Sequence, residues 1–252
     1  MHVVQGIEEL RPQLGPIFVV VGVFDGMHLG HAYLLEHLLS ESGARDARPT
    51  VITFDHHPDE VLMGTAPSLL LDPGERLGRL AAAGVAVTVV QHFDEALRRT
   101  PYDAFVERIR AHIGLKGFVM TPDAAFGFER RGTPTALAEL GSRDGFDVVV
   151  VPPFTIDGQD VRSSAIRAAI VDGDLAAAAR LLGRPVTITG SIGGVVDGRA
   201  RLDFTLPVAL PPDGDYPVHV DGAPFSLRIV RGDAYLLGEI SNRRLTVVLG
   251  GA

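Results

Sequence analysis

Two histidines three residues apart, His28 and His31, sit in a turn that also holds Phe24, Asp25, Gly26 and Gly30. An apolar, β-branched run, IFVVVGV at 17–23, leads into this turn. A helical pattern leads out of it, with Leu34, Leu35, Leu38 and Leu39 on one face. A strand passing through a glycine-bearing turn into a helix makes an anion site, because the first helical N–H groups are unpaired and the helix dipole is positive there. Gly26 and Gly30 let the backbone approach a ligand closely. Imidazoles in the same turn add donors that can meet charge developing on a phosphate at neutral pH. The chemistry implied is binding and rearrangement of phosphate.

Composition narrows the classes that remain. The chain has 252 residues, 46% of them hydrophobic, enough for a substantial core in one large domain or in a domain with a smaller companion. Its formal charge is −8 and it has no Lys/Arg run, so nucleic acid and membrane surfaces lack electrostatic support as partners. It has no cysteine, which excludes disulfides and thiolate metal sites. No basic segment followed by a long apolar run opens the chain, and apolar runs are of strand length, short of the ~20 residues of a membrane helix. The expectation is a soluble, cytoplasmic protein.

The elements that must position the turn follow from periodicity. Residues 1–16 read as a lead-in, with Pro12 and Pro16 limiting helix. Strands are expected at 17–23, 50–54, 85–90, 117–121 and 146–151, with helices at 31–42, 72–83, 101–113 and 134–141. Asp72 is placed to cap the second helix, with Pro73 at its first position. Alternating strands and helices predict an α/β fold, a Rossmann-like doubly wound parallel sheet covered on both faces. Ligands on such sheets bind beyond the carboxyl ends of strands, so the loops after the first, second, fourth and fifth strands are expected to meet at one site. Residues 160–182 read as two helices divided at Gly173, the second capped by Asp174. From Val186 the texture changes to short runs such as VTITGSIGGVV, FSLRIV and LTVVLGG, the pattern of a small β-barrel or sandwich. The boundary falls at 183–186, giving domains 1–183 and 184–252.

Four blocks, in order, carry a resemblance. They are GVFDGMHLGH (22–31), ITFDHHPDEVL (52–62), TPDAAFGFERRG (121–132) and VRSSAIRAAIVDGDLAAAARLLGRP (161–185). Over roughly residues 10–185 they resemble the FMN adenylyltransferase module of the bacterial bifunctional riboflavin kinase/FAD synthetase family. The resemblance implies a nucleotidyltransferase fold and transfer of AMP from ATP to FMN, giving FAD and pyrophosphate. It assigns His28 and His31 to the α- and β-phosphates, within a nucleotide site that includes Gly22, Phe24, Asp25, Gly26 and Gly30. Ser163, Ser164 and Arg167 fall to the outer phosphates, as hydroxyl donors and a guanidinium fork. His57, Asp123, Phe126 and Phe128 fall to the flavin. Mg²⁺ is implied with ATP, its ligands mostly phosphate oxygens, and no protein metal site is expected. A zinc site on His28, His31, His56 and His57 lacks a cysteine or spaced carboxylate to complete it.

Structural alternatives stand beside several of these roles. His57 before Pro58 suits a turn as well as a flavin contact. Ser163 and Ser164 suit a helix cap, and Phe126 and Phe128 suit a core.

The chain departs from the family pattern in ways that bear on the acceptor. Arg162 stands where the first serine of the closing block is usual, and Ser164 replaces threonine. Thr121 replaces a glycine and Ala124 a phenylalanine in the third block. The family's kinase module carries Gly-Phe-Pro-Thr-Ala-Asn, but here GRARLDFTLPVAL takes that place, with Leu206 and Val208 where Thr and Asn would hold a metal-nucleotide. Neither can ligate a hard cation, so riboflavin kinase activity is expected to be absent. The C-terminal domain is then a barrel for stability or association, with oligomerisation through it left open. The leading expectation is FAD synthesis. Its rivals are a nucleotidyltransferase for another phosphorylated acceptor or for CTP, and a non-catalytic flavin- or nucleotide-binding protein.

Overall fold

The computed structural model describes residues 1–196, 198–238 and 244–250; Gly251, the last residue of the run 245–251, lies outside them. Six parallel strands form one sheet: β1 (His2–Val4), β2 (Ile17–Val21), β3 (Arg48–Phe54), β4 (Val87–Gln91), β5 (Leu115–Met120) and β6 (Asp147–Val150). Their order is β1-β4-β3-β2-β5-β6. From β2 the chain winds outward through β3 to β4, then returns to the other side of β2 for β5 and β6. The winding reverses beside β2, and such a switch point opens a crevice at the carboxyl ends of the strands. Residues 17–20 of β2 and 50–53 of β3 are buried without alternation, as a sheet covered on both faces requires.

The crossovers are α1 (Leu29–Ala44), α2 (Pro58–Met63), α3 (Pro73–Ala82), α4 (Glu95–Arg98), α5 (Tyr102–Arg110) and α6 (Pro134–Asp144). The expected cap at Asp72 is present, its carboxylate accepting from the N–H groups of Gly74 and Glu75 at 2.9 and 3.2 Å. The N-terminal lead-in differs from expectation. His2–Val4 pairs in parallel with Val87–Val89 at the sheet edge, a strand of three residues that is too short to show a period. Two short helices, α2 and α4, were likewise below the length at which periodicity speaks. The first long helix begins at Leu29, two residues before the expected 31, so Gly30 and His31 belong to its first turn.

Two antiparallel residue pairs, β7 (Thr155–Ile156) and β8 (Gln159–Asp160), precede α7 (Ser163–Val171) and α8 (Leu175–Leu182). The expected break at Gly173 is present, and the Asp174 carboxylate accepts from the Ala177 N–H at 2.9 Å. There follow β9 (Val186–Val196), β10 (Arg199–Asp203), β11 (Gly214–Val220), β12 (Ala223–Val230), β13 (Asp233–Leu237) and β14 (Arg244–Leu249). They close an antiparallel barrel in the order β10-β13-β12-β11-β14-β9. Leu202, Val218, Leu227, Leu236 and Val247 are buried at 3% exposure or less, so the barrel is filled by its own aliphatic side chains. Among the described residues no helix is long and apolar enough to cross a membrane.

By internal contacts the chain divides into two units. One comprises Met1–Phe24, Gly30–Pro67 and Leu77–Phe154; the other comprises Asp25–Leu29, Ser68–Arg76 and the chain from Thr155 onward. The first unit holds the parallel sheet and a core with Phe105, Phe118, Leu137 and Phe146 at its centre. Its 122–132 loop is fixed at Gly127, whose φ is +76° and where an added Cβ would lie 2.6 Å from the Tyr102 backbone nitrogen. Gly127→Ala combines a left-handed backbone with a clash against main chain, and is expected to lower stability by about 2 kcal/mol or more. Thermal unfolding of the variant checks this, and a melting temperature unchanged from the parent contradicts it.

Candidate functional site

Within the second unit, the segment Asp25–Leu29 is held by charge and main-chain bonds. Asp25 is 3% exposed, and its carboxylate accepts from the Leu70 N–H at 2.9 and 3.1 Å. It also pairs with the Arg167 guanidinium at 3.0 Å, and the Arg167 Nε donates to the Ser68 carbonyl at 2.7 Å. A buried carboxylate is tolerated because it is both paired and hydrogen-bonded. Main-chain oxygens of the segment are held as well. Ser163 Oγ donates to the Asp25 carbonyl at 2.9 Å, and Arg184 Nη2 donates to the Gly26 carbonyl at 2.7 Å. Gly26 has φ +85°, and a Cβ there would lie 3.0 Å from Leu70 Cδ1, so glycine is required by both conformation and space.

His28 is 5% exposed in this setting. Burial, and then the positive charge of Arg184, push its pKa down to about 4. The imidazole is therefore neutral near pH 7, with one nitrogen donating and one accepting. A neutral imidazole can still donate one hydrogen bond to a phosphoryl oxygen.

Within the first unit, Phe24 is buried with φ 55° and its ring lies 4.9 Å from that of His31. Gly22 is not in the left-handed region; it is constrained by space, since a Cβ would meet the Phe24 ring at 3.1 Å. Gly22 and Val23 also line a cavity of about 580 Å³ at the carboxyl end of the sheet. Its apolar walls include Phe54, Phe93, Phe105, Phe118, Met120 and Phe126. The volume lies in the range of sites that enclose a ring-bearing ligand. The loops after β2, β3, β4 and β5 build it, so the loop after the third expected strand takes part, while residues 151–154 after the fifth are not among its lining.

The remaining expected residues divide. Phe126 lines the cavity and packs against Phe105 and Phe118, with ring centroids at 5.3 and 5.7 Å, so it is core and wall at once. Phe128 lines the cavity and is 38% exposed. Asp123 is exposed and accepts from Thr121 Oγ1 at 2.8 Å, while its carbonyl accepts from Arg130. His57 is the N-cap of α2, its Nδ1 accepting from the Asp59 N–H at 3.2 Å, which is the turn role. Gly30 is helical. Ser164 is exposed in the first turn of α7. His28, His31, His56 and His57 do not appear together in any group of donors able to hold one ion among the described residues.

Sequence reasoning missed Arg184 and the Ser68–Asp72 strap. Arg184 was visible only as part of the closing Gly-Arg-Pro, with nothing to tie it to Gly26, 158 residues away. The aromatic walls come from separate strand ends and helices, and no spacing joins them.

Leu206 and Val208, expected in place of a metal-nucleotide pair, lie in a segment bonded to the strap. The Leu69 N–H donates to the Pro207 carbonyl at 2.7 Å and the Ala209 N–H to the Leu69 carbonyl at 2.8 Å.

A family model described as FAD synthetase matches residues 11–165. The bifunctional riboflavin kinase/FMN adenylyltransferase of Haemophilus influenzae is 32% identical over 194 residues, covering 76% of this chain and 63% of that protein. The protein of the same name from Escherichia coli K12 is 32% identical over 196 residues, covering 76% and 62%. The match thus spans less than two thirds of the length of these curated relatives. The crystal structure of a macrolide-efflux protein from Streptococcus pneumoniae superposes with a TM-score of 0.81 at 22% identity, covering 98% of this chain and 88% of that one, a likeness of fold.

The depressed His28 pKa carries a stability consequence. Between the unfolded value near 6.5 and about 4 the unfolded chain binds the extra proton, so this group's contribution is full above pH 6.5 and lost as pH falls to 4. The loss amounts to about 3 kcal/mol. His28→Asn is expected to remove that part of the pH dependence, measured as unfolding free energy at pH 7 and pH 4.5. An equal pH dependence in parent and variant contradicts it.

Proposed function

The chain belongs to the FAD synthetase family, and from that premise we propose that it transfers the adenylyl group of ATP to the phosphate of FMN, releasing pyrophosphate. The observation that carries this reading is the aromatic-walled cavity at the carboxyl end of the sheet. A flavin ring is flat, large and largely apolar, and aromatic walls suit it. Phe126 and Phe128 contact the ring in this reading, with Asp123 on its polar side; His57 keeps its helix-capping role.

The reaction is an in-line displacement at the α-phosphorus. An FMN phosphate oxygen forms a bond to that phosphorus, and the bond to the bridging oxygen of pyrophosphate breaks. The protein's part is positioning and stabilisation of charge. His28 donates a hydrogen bond to the α-phosphoryl oxygen as neutral imidazole, and His31 acts beside it. Arg167 uses Nε and one N–H of Nη2 on Ser68 and Asp25. Of its five N–H donors three remain, and these face the outer phosphates with Ser164. Ser163, whose proton goes to the Asp25 carbonyl, holds the turn instead. Mg²⁺ would enter with ATP; because Asp25 is committed to Arg167 and Leu70, the phosphates would supply its oxygens.

This reading divides the chain into a nucleotidyltransferase domain, 1–183, and a barrel, 184–252, that serves stability or association without phosphorylating riboflavin. The setting is the cytoplasm. Thr121 and Ala124 both line the cavity where the family pattern has glycine and phenylalanine, and this favours a second reading in which the acceptor is a different phosphorylated molecule.

Pyrophosphate release from ATP or CTP, screened against FMN and other small phosphates, distinguishes them. FAD formation with FMN, falling at least about 100-fold in His28→Ala, is the expected result. Release with another acceptor and none with FMN supports the second reading, and tight flavin binding without release contradicts both. Formation of FMN from riboflavin and ATP contradicts the assignment of the barrel.

A further inference from the structure

Beside the cavity, a second cluster stands at the carboxyl ends of β3 and β4. Asp55 continues the ladder past Phe54, its N–H donating to the Gln91 carbonyl at 3.2 Å. One carboxylate oxygen, Oδ1, accepts from the His56 and Phe93 N–H groups at 2.7 and 3.0 Å. The other, Oδ2, meets His92 Nδ1 at 2.6 Å. The His56 ring lies 5.8 Å from that of His92, and donor atoms of Asp55, His56 and His92 all fall within 4.8 Å of one another. Glu60, one helical turn along, reaches His56 Nδ1 at 3.2 Å.

We propose that Asp55, His56 and His92 form a binding site for a divalent transition-metal ion of the zinc type, with the fourth position left to water. Two imidazoles and a carboxylate suit such an ion and do not suit magnesium, which prefers oxygen alone. Bond lengths of 2.0–2.2 Å place the ligand atoms of a tetrahedral zinc about 3.4 Å apart. Asp55 Oδ2 and His92 Nδ1, 2.6 Å apart, lie closer than that, so the ion enters by parting them and displacing the proton of their hydrogen bond. The ligand carboxylate is fixed beforehand by two backbone N–H groups, and two of the three residues extend adjacent, hydrogen-bonded strands. This prior fixing favours binding although the side chains face solvent.

The neighbours of the ligands give the site a consequence. Phe54 precedes Asp55, Phe93 follows His92, and their rings meet at 5.2 Å in the cavity wall. An ion joining the two strand ends fixes that wall. Its effect on flavin affinity rests on the function proposed above; binding of the ion does not.

Titration calorimetry of Zn(II) into the full chain, prepared without a polyhistidine tag, tests the site. One equivalent is expected to bind, with affinity falling at least about tenfold in His92→Gln and in His56→Gln and unchanged in His2→Gln. Co(II) in place of zinc should give a visible ligand-field band that is lost in His92→Gln. Absence of saturable binding, or binding equal in the parent and both cluster variants, overturns the proposal. Zinc binding without any change in flavin affinity leaves the site and refutes only its influence on the cavity.

Discussion

One buried carboxylate holds the chemistry-bearing turn in its shape. Asp25 draws together three stretches of chain that are far apart in sequence: its own turn, the strap at Ser68–Leu70, and α7 through Arg167, 142 residues away. The charge is tolerated only while all of these are present, because an ion pair deprived of one partner costs about 3–5 kcal/mol. Around it, Ser163 and Arg184 hold the Asp25 and Gly26 carbonyls, and Arg184 adds its charge to the burial that keeps His28 neutral. The turn is therefore not a free loop that closes on a ligand. Its backbone is fixed beforehand, which is what stabilisation of developing charge requires.

The sheet supplies the other requirement. Reversal of winding beside β2 opens the crevice, and aromatic side chains from β3, β5 and the segments after β4 and β5 wall it. Apolar walls give affinity for a flat ring but no chemistry. In the proposed reading the histidine turn supplies the phosphoryl chemistry and the cavity supplies affinity for the ring. The barrel adds a buried aliphatic interior, and its 207–209 segment is bonded to the strap that also bonds Asp25.

Much of this was legible from local pattern. Continuous apolar runs marked the buried parallel strands, Asp72 and Asp174 marked helix starts, and the break at Gly173 marked a helix end. The motif blocks marked the turn. What stayed hidden is long-range or short. β1 has three residues and gains its identity only by pairing with β4. Arg184 has no local reason to be singled out; its role is a bond to a carbonyl 158 residues away. Ser163 looked like a phosphate ligand because a hydroxyl at a helix start serves either purpose, and only geometry shows its proton on Asp25. Thr121 and Ala124 were read as departures, and their place in the cavity wall gives those departures a physical meaning.

The central claim is a division of labour, with ring affinity in the cavity and phosphoryl chemistry in the turn. Single-turnover conversion of FMN to FAD, measured with flavin binding in His28→Ala and Phe126→Leu, tests it most directly. The account predicts that His28→Ala loses rate with flavin affinity intact, and that Phe126→Leu loses affinity while keeping its rate at saturation. Loss of flavin binding in His28→Ala, with its rate preserved at saturating flavin, would contradict it.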